Sequence, residues 1–316
     1  MSVLVFGSVN VDITVHAPRL PQPGETLHAQ AYAIGLGGKG ANQAAAAARL
    51  GAQVAFIGRT GHDQMGAQAR NLLKEYGLDL AGLADDEAAG TGIAQITVGM
   101  ADGQNVIALV AGANMRLDET DVERAAARLA EARVLLLQLE TPLEASLALA
   151  ARARAAGVTV ILDPAPAPEG GLDADVLKAV DIVTPNETET ACLLGRRPVT
   201  AEDGIAAARA LVARGCRIAI VKLGGNGVAF AGDGGEGFIP PFPVTVVDTV
   251  AAGDCFNGGL ATALARGDAL PDAVRFAAAC GAIAVTRPGA AAAAPTLAEA
   301  EALLRDSRVN SRSNDE

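Results

Sequence analysis

The sequence predicts an α/β protein whose central sheet is mainly parallel and covered by helices on both faces. Apolar runs rich in β-branched residues alternate with alanine-rich stretches, beginning with a strand expected at residues 3–9 and a helix expected at residues 41–50. The predicted strands are continuously apolar, which is typical of strands buried on both faces of a sheet. A glycine such as Gly51 follows several predicted helices, and glycine readily adopts the left-handed backbone that ends a helix. These observations favour strand–helix–strand units around a parallel sheet.

The same alternation continues towards the C-terminus. The expected elements are a strand at 54–57, a helix at 65–76 ended by Gly77, a strand at 134–138, a helix at 143–156 ended by Gly157, strands at 158–162 and 182–183, a helix at 203–214 ended by Gly215, a strand at 218–222 and a helix at 256–265. The length allows one large domain or two small ones. No internal repeat is present, and we expect a single domain over residues 1–316.

Two stretches interrupt the alternation and are expected to form a separate small sheet. The first, about residues 11–36, contains strand-like segments broken by prolines and has no helical pattern. The second, about residues 91–111, is predicted to be a hairpin, because Asp102 and Gly103 are a strong tight-turn signal between two β-rich runs. A pair of edge strands on the main sheet is the alternative.

The composition excludes several classes of protein. The chain has 25 Lys and Arg against 36 Asp and Glu, and its net charge of −11 argues against nucleic acid or an anionic membrane as the main partner. The four cysteines form no CxxC pair, which fits neither a zinc cluster nor a disulfide framework. No apolar run reaches the roughly 20 residues of a membrane helix, and the first residues lack the features of a secretion signal. We therefore expect a soluble cytoplasmic protein.

A glycine-rich segment at residues 35–40 is the first candidate for chemistry. It fits G-x-G-x-x-G, but it follows an irregular β-stretch instead of the first strand, which argues against dinucleotide binding. Gly40 stands where a Walker A loop has Ser or Thr. What remains is a helix N-terminus with Lys39 and Asn42, which suits a polar, hydroxyl-rich or anionic ligand. A plain turn is the alternative.

Residues 248–254 are the second and sharper candidate. Ala251, Ala252 and Gly253 lead into a predicted helix, and small residues at a helix start leave backbone N–H groups free to face an anion. Asp254 beside such a site is well placed to accept a proton from a hydroxyl that attacks phosphorus. Alternatively, Asp254 is only a favourable charge at the start of its helix, and the local pattern does not separate the two.

Together these segments resemble the signatures of the ribokinase-like carbohydrate kinase family. Residues 248–258 match the family's C-terminal D-T-x-x-A-G-D-x-F-x-G signature, and residues 37–44 match its N-terminal G-G-K-G-A-N signature. Residues 184–189 match its N-x-x-E motif, while residues 7–12 and 139–144 resemble its sugar-contacting segments. The matches occur in order over nearly the whole chain, so chance does not explain them.

The resemblance implies a fold, a reaction and a set of site residues. The fold would be three-layer α/β/α, with a mainly parallel central sheet and a small β-sheet lid that also commonly forms a homodimer contact. The reaction would be ATP-dependent phosphorylation of a sugar, with Asp254 as the general base and a backbone anion hole at Ala251, Ala252 and Gly253. Besides Asp254, the residues that would contact the sugar are Asn10, Asp12, Gly38, Lys39, Asn42 and Glu140.

The resemblance also implies where ATP and metal ions bind. The nucleotide would contact Asn186, Glu189, Lys222, Gly224, Gly225, Gly227, Ala252 and Gly253. Mg²⁺ would be organised through water by Asn186 and Glu189, and an activating K⁺ would bind mainly backbone oxygens at Asp248, Val250, Ala284, Arg287 and Gly289. The chain departs from the family at Lys222, where Thr is frequent, at Ala278 near the adenine, and at residues 290–294, which lack the polar residue expected near the cation.

For the acceptor we expect D-ribose, phosphorylated at its 5-hydroxyl. The carboxylates of Asp12 and Glu140 suit hydrogen bonds to neighbouring sugar hydroxyls and would repel a phosphorylated sugar. Aromatic residues make up only 3% of the chain, which leaves little to stack against a nucleobase. The alternatives are a kinase for another small sugar or for a nucleoside such as adenosine and, from another class, a noncatalytic sugar sensor, which would not need Asp254 beside an anion hole.

Overall fold

The computed structural model describes residues 2–313, which fold around a nine-stranded sheet. In chain order the elements are β1 (Ser2–Phe6), β2 (Asn10–Ala17), β3 (Ala31–Gly37), α1 (Lys39–Arg49), β4 (Gln53–Gly61), α2 (Gln64–Glu75), β5 (Asp79–Asp86), β6 (Gly92–Gly99), β7 (Asn105–Val110), α3 (Glu119–Ala126), β8 (Val134–Leu137), α4 (Leu143–Ala155), β9 (Thr159–Leu162), α5 (Ala174–Ala179), β10 (Ile182–Val183), α6 (Glu187–Leu194), α7 (Ala201–Ala213), β11 (Ile218–Lys222), β12 (Val228–Gly232), β13 (Gly237–Ile239), α8 (Ala252–Arg266), α9 (Leu270–Ala284) and α10 (Leu297–Ser313).

The central sheet has the strand order β13-β12-β11-β10-β9-β8-β1-β4-β5. Its strands from β11 to β5 pair in parallel, which confirms the predicted mainly parallel sheet. The edge strands β12 and β13 are antiparallel. Only a short turn at Gly224–Asn226 separates β11 from β12, and a connection of that length can join only antiparallel neighbours.

Two apolar cores cover the two faces of this sheet and complete the expected three layers. Side chains alternate along β1, so that Val3 and Val5 join one core while Leu4 and Phe6 join the other. The first core contains residues of α1, α2, α8, α9 and α10, and the second contains residues of α3 to α7. Among the described helices, none is both long and apolar enough to span a bilayer.

The start of α8 differs from the prediction in a way that matters for the site. A helix was expected only from residue 256, whereas α8 begins at Ala252. Ala251, which precedes it, has a left-handed backbone with φ 56°, a conformation that is costly for a residue with a Cβ atom. Asp254 therefore lies within the first turn of the helix instead of before it.

The two irregular stretches form the separate small sheet that the sequence predicts. Its four strands have the order β3-β2-β6-β7, and β6 and β7 form the expected hairpin around Asp102 and Gly103. The two stretches meet where β2 pairs in parallel with β6, with Asn10 opposite Gly92. Every residue of β7 is exposed. The short segment after β1 thus carries the chain directly from the central sheet into the small one.

Candidate active site

Several predicted site residues, together with Ser8 and Asp163, which carry no predicted role, lie at the carboxyl edge of the central sheet. In the sequence, Ser8, Glu140, Asp163 and Lys222 come at or just after the ends of β1, β8, β9 and β11. Parallel strands bring such residues to one edge of a sheet. The N-termini of α1 and α8 reach the same edge, because the backbone N–H of Lys39 donates to Glu140 and the side chain of Asn42 donates to Asp254. This arrangement joins segments that are up to 212 residues apart in sequence.

Asp254 is a buried acid of this edge, with only 6% of its surface exposed. Its Oδ2 accepts a hydrogen bond from Asn42 Nδ2 at 3.2 Å, and its Oδ1 accepts one from Gln43 Nε2 at 3.1 Å. Burial, opposed by the Lys39 ammonium and reinforced by the Asp163 carboxylate, raises the pKa of Asp254 to about 6. A carboxylate with such a pKa is unprotonated at neutral pH and can accept a proton.

The first turn of α8 offers backbone donors beside this acid. No side chain caps the helix at Ala251, and among the described residues the N–H groups of Gly253 and Asp254 have no hydrogen-bond acceptor. A Cβ atom on Gly253 would lie 3.4 Å from Lys222 Nζ, so the lysine ammonium is next to these donors. Uncapped N–H groups and a nearby cation suit a phosphate oxygen.

Glu140 ties the start of α1 to the loop after β1. Its Oε2 accepts hydrogen bonds from Ser8 Oγ at 2.5 Å and from the backbone N–H of Lys39 at 2.9 Å. Gly38, just before the helix, has φ +87°, and a Cβ atom there would lie 2.9 Å from the backbone nitrogen of Asn10. Oε2 of Glu140 therefore links the loop after β1 to the start of α1, and Oε1 is left to bind a ligand.

Asp12 and Asn10 reach the site from the small sheet. Burial, together with the negative charges of Glu140 and Asp254, raises the pKa of Asp12 to about 6. Asn10 Oδ1 accepts a hydrogen bond from Asn114 Nδ2 at 2.8 Å. Asn42 uses Nδ2 to bind Asp254, while its buried Oδ1 has no partner among the described residues. A sugar hydroxyl is a donor that would satisfy this oxygen.

Lys39 supplies positive charge amid these acids. Burial disfavours its ammonium, but the carboxylates of Asp254, Asp163, Glu140 and Glu189 outweigh that effect and raise the pKa of Lys39 above its ordinary value. The side chain therefore stays charged at physiological pH. Its position among acids from four different segments makes it a central charge of the site.

The predicted nucleotide residues lie at the ends of β10 and β11. Lys222 Nζ is 3.1 Å from Asp163 Oδ1, and the lysine side chain is only 12% exposed. Asn186 and Glu189 form a reciprocal cap at the start of α6, in which Glu189 accepts from the backbone N–H and Nδ2 of Asn186 at 2.7 and 2.9 Å. Burial raises the pKa of Glu189, with Lys222 opposing the shift. Gly224, Gly225 and Gly227 form the turn after β11.

The residues predicted to hold a monovalent cation are partly joined by hydrogen bonds. Asp248 Oδ1 accepts from the backbone N–H of Val250 at 3.0 Å, and its Oδ2 accepts from that of Gly289 at 3.1 Å. Arg287 directs its guanidinium to Glu299, at 2.9 Å, and because a guanidinium has no acceptor, an ion could bind this residue only through its backbone carbonyl. Ala284 is the last residue of α9. Among the described residues, no group of three His, Cys, Asp or Glu forms a metal cluster.

Three residues of this edge, Ser8, Gln43 and Asp163, were assigned no role from the sequence. Gln43 follows Asn42 on α1 and is fully buried, and Asp163 directly follows β9 with 2% of its surface exposed. Asp163 had a usable signal, because an acid just after a predicted parallel strand lies at the edge where ligands bind. Gln43 had none beyond its place in the glycine-rich segment.

Comparisons with known proteins identify the family of this chain. A family profile described as pfkB family carbohydrate kinase matches residues 1–297. A ribokinase of Haemophilus influenzae is 41% identical over 298 residues, which cover 94% of this chain and 96% of that protein. A deoxyribokinase of Salmonella typhi is 36% identical, with coverage of 94% and 96%. The structure of an Arabidopsis thaliana ribokinase complexed with ribose and ATP has a TM-score of 0.83 at 35% identity, covering 96% of this chain and 98% of that chain. The chain belongs to the pfkB family of carbohydrate kinases.

Proposed function

We propose that this protein is an ATP-dependent kinase that phosphorylates D-ribose at its 5-hydroxyl. The observation that carries the proposal is the buried Asp254, unprotonated at neutral pH, in the first turn of a helix whose uncapped N–H groups and neighbouring lysine suit a phosphate. The ribokinases among its relatives, together with the ribose and ATP of the Arabidopsis complex, support the choice of substrates. ATP is abundant in the cytoplasm, where we expect the enzyme to act.

In the proposed reaction Asp254 accepts the proton of the ribose 5-hydroxyl as the oxygen attacks the γ-phosphorus. The new bond joins O5 to phosphorus, and the bond from phosphorus to the β,γ-bridging oxygen breaks, so that ADP leaves with the electron pair. The N–H groups of Gly253 and Asp254, with the ammonium of Lys39, stabilise negative charge on the transferring group. Most of the acceleration comes from holding the two oxygens in line with phosphorus.

Ribose recognition is assigned to groups on both sheets. Asp12 and Asn10 come from the small sheet, while Glu140 and Asn42 come from the main body of the protein. The free oxygen of Glu140 and the unpaired Oδ1 of Asn42 are acceptors for sugar hydroxyls. Gly38, whose missing Cβ atom lets the start of α1 approach the backbone of Asn10 closely, is proposed to contact the sugar through its backbone.

Mg²⁺ is proposed to bind beside Asn186 and Glu189 and to neutralise charge on the ATP phosphates when bound. The donor set fits, because Glu189 is a buried carboxylate whose oxygens each retain a lone pair beyond the bond from Asn186. Mg²⁺ in proteins keeps several of its waters, so a site without a cluster of acids suits it.

K⁺ is proposed to bind backbone oxygens of the segments 248–250 and 284–289. The support is that Asp248 joins these two segments by hydrogen bonds to the N–H groups of Val250 and Gly289. The first segment leads into the start of α8, two residues before the helix. A cation there would act by fixing the position of the anion hole.

The substrate is tested by measuring kcat/KM for ATP-dependent phosphorylation of D-ribose, 2-deoxyribose, fructose, a 2-keto-3-deoxy acid and adenosine. We expect the highest value for ribose, with NMR of the product placing the phosphate on C5. A higher kcat/KM for 2-deoxyribose or adenosine would refute ribose as the substrate but would leave the role of Asp254 as general base intact. Ribose binding without turnover of any compound would indicate a sensor and overturn the kinase proposal.

The same assay, repeated with different ions, tests the proposed Mg²⁺ and K⁺ sites. With ribose, we expect activity to require Mg²⁺ and to be lost in a chelator, and we expect a faster rate in K⁺ than in Na⁺. Full activity in the chelator would refute the magnesium site. Equal rates in the two salts would refute the potassium site.

We propose that the small sheet, about residues 11–36 and 91–111, is the lid of a single domain over residues 1–316, and that a second copy of the chain docks on it. The pairing register puts Ile34 opposite Ile13, so both point away from the face of Asp12. Tyr32, Ile34, Val106 and Val110 are exposed at 74%, 46%, 58% and 62%, and exposed apolar clusters of this kind suit a protein interface.

Sedimentation velocity tests the homodimer. We expect a dimer for the unmodified chain and a monomer when Ile34 and Val106 are both replaced by Lys, because two charges would then be buried at the interface. A monomeric unmodified chain would overturn the interface.

A further inference from the structure

A buried chain of side chains connects Lys222 with Asp254. Lys222 Nζ lies 3.1 Å from Asp163 Oδ1, and the other oxygen of Asp163 accepts a hydrogen bond from Gln43 Nε2 at 3.0 Å. The same Nε2 donates to Asp254 Oδ1 at 3.1 Å. Gln43 is fully buried, and Asp163 and Asp254 are 2% and 6% exposed. The chain is therefore largely buried, and its Lys222 end is the most exposed part, at 12% of the side chain.

The amide of Gln43 has only one stable orientation in this chain. Its two N–H groups serve two carboxylates, while its Oε1 accepts a hydrogen bond from Gln138 Nε2 at 2.8 Å. The reverse orientation would aim the amide oxygen at two negative charges and its donors at another donor. A buried hydrogen-bond network of this kind fixes the geometry of its members.

The negative charge of Asp163 would repel the carboxylate of Asp254 if other groups did not balance it. It lies close enough to Asp254 to contribute to the raised pKa of that acid. The ammonium of Lys222 compensates it on one side and the Gln43 amide on the other. A buried carboxylate between two such partners has a fixed position. Asp163 in turn fixes the position of the Lys222 ammonium beside Gly253.

We propose that Gln43 and Asp163 are positioning residues for phosphoryl transfer, Gln43 by orienting the carboxylate of Asp254 and Asp163 by holding Gln43 and the ammonium of Lys222. The proposal rests on the proposed kinase function. It gives the lysine at position 222 a structural basis in this chain, because a nearly buried ammonium requires a carboxylate partner and Asp163 supplies it.

Replacing Gln43 with Met tests the proposal that Gln43 orients the carboxylate of Asp254, since Met has a similar volume and no hydrogen-bond donors. We expect the single-turnover rate of ribose phosphorylation to fall by about 10²-fold, because small misplacement of a reacting group has effects of this size. The KM values for ribose and ATP should stay the same, since the buried amide contacts neither substrate. Replacing Gln43 with Asn, which is too short to serve both carboxylates, should lower the rate in the same way and guards against a Met variant that does not fold.

A double-mutant cycle separates positioning from a general loss of structure. If Gln43 acts through Asp254, adding the Met substitution to Asp254→Asn should cause no further loss of rate. The matched control is Thr262→Val, which removes a fully buried donor that bonds only the Gly258 carbonyl of its own helix, outside this network. It should destabilise the protein comparably in thermal unfolding but keep most of the rate.

Replacing Asp163 with Asn tests the proposal that Asp163 holds the ammonium of Lys222. The loss of the charge that holds Lys222 should raise the KM for ATP and leave the KM for ribose unchanged. An unaltered single-turnover rate in both Gln43 variants, or an additive loss in the double mutant, would overturn the role of Gln43, and an unchanged KM for ATP would overturn that of Asp163. Absence of kinase activity in the unmodified enzyme would instead refute the proposed function.

Discussion

Replacing Asp254 with Asn should lower the rate of ribose phosphorylation by about 10²–10⁴-fold, which is the usual contribution of general-base catalysis. The amide has nearly the size of the carboxylate, but its single oxygen can accept from only one of Asn42 and Gln43, which donate to different oxygens of Asp254. It cannot accept the proton of the attacking hydroxyl. Ribose binding, measured by calorimetry without ATP, should persist, because the other sugar contacts are unaltered.

A matched control is available on the next helix. Asp272 lies in the first turn of α9 and is exposed, so Asp272→Asn removes the same charge from an equivalent helix position outside the site. Its rate should equal that of the unmodified enzyme. Near-normal turnover in the Asp254 variant would mean that Asp254 is only a favourable charge at its helix start, and the proposed mechanism would be wrong.

The sequence predicted the fold well where its signals are local. The alternation of apolar runs and alanine-rich stretches, with glycines such as Gly51 and Gly77 in the left-handed conformation after helices, corresponds to elements of the structure. The hairpin around Asp102 and Gly103 followed from turn chemistry, because such a pair adopts the backbone that a tight turn needs. Its pairing with the first irregular stretch is a long-range contact, yet it was predicted from the absence of any helix in either stretch.

Elements without local signals were not predicted from the sequence. The strands β12 and β13 lie at an edge of the sheet, where a short glycine turn rather than a hydrophobic period decides their direction. The start of α8 depends on the left-handed backbone of Ala251, a conformation for which alanine has no preference. Tertiary contacts impose such a conformation, and a single sequence does not report them.

In the candidate site, too, some residues were predicted from local sequence signals and others were not. Asp254, Lys39 and Glu140 were identified from motifs, and the structure places all three at one edge of the sheet. The carboxylate–amide–carboxylate contact through Gln43 joins residues 120 and 211 positions apart. Gln43, which makes both contacts, carries no sequence pattern that predicts them. The chemistry of the site is therefore visible in the sequence, whereas the contacts that position it are visible only in the fold.

Lys39→Met should both slow the reaction and move its pH dependence. The ammonium is the main positive charge opposing protonation of Asp254, whose pKa is about 6. The unmodified enzyme should therefore lose kcat/KM as the pH falls through about 6, because the protonated acid cannot act as a base. Asp12 has a similar pKa and contributes to the same decline. Without Lys39 the pKa of Asp254 should rise, so the decline should begin at a higher pH.

The plateau rate of the Lys39 variant should also fall by about 10²–10³-fold, as is typical when a group that stabilises transition-state charge is removed. Lys74→Met is the matched control, since Lys74 is exposed on α2 and should affect neither the plateau nor the pH of the decline. A lower plateau with an unmoved decline would mean that Lys39 serves the phosphoryl group without influencing the base. An unmoved plateau with a shifted decline would mean the reverse. Only both changes together fit a single ammonium that faces the acids of the sugar site and the phosphate at once.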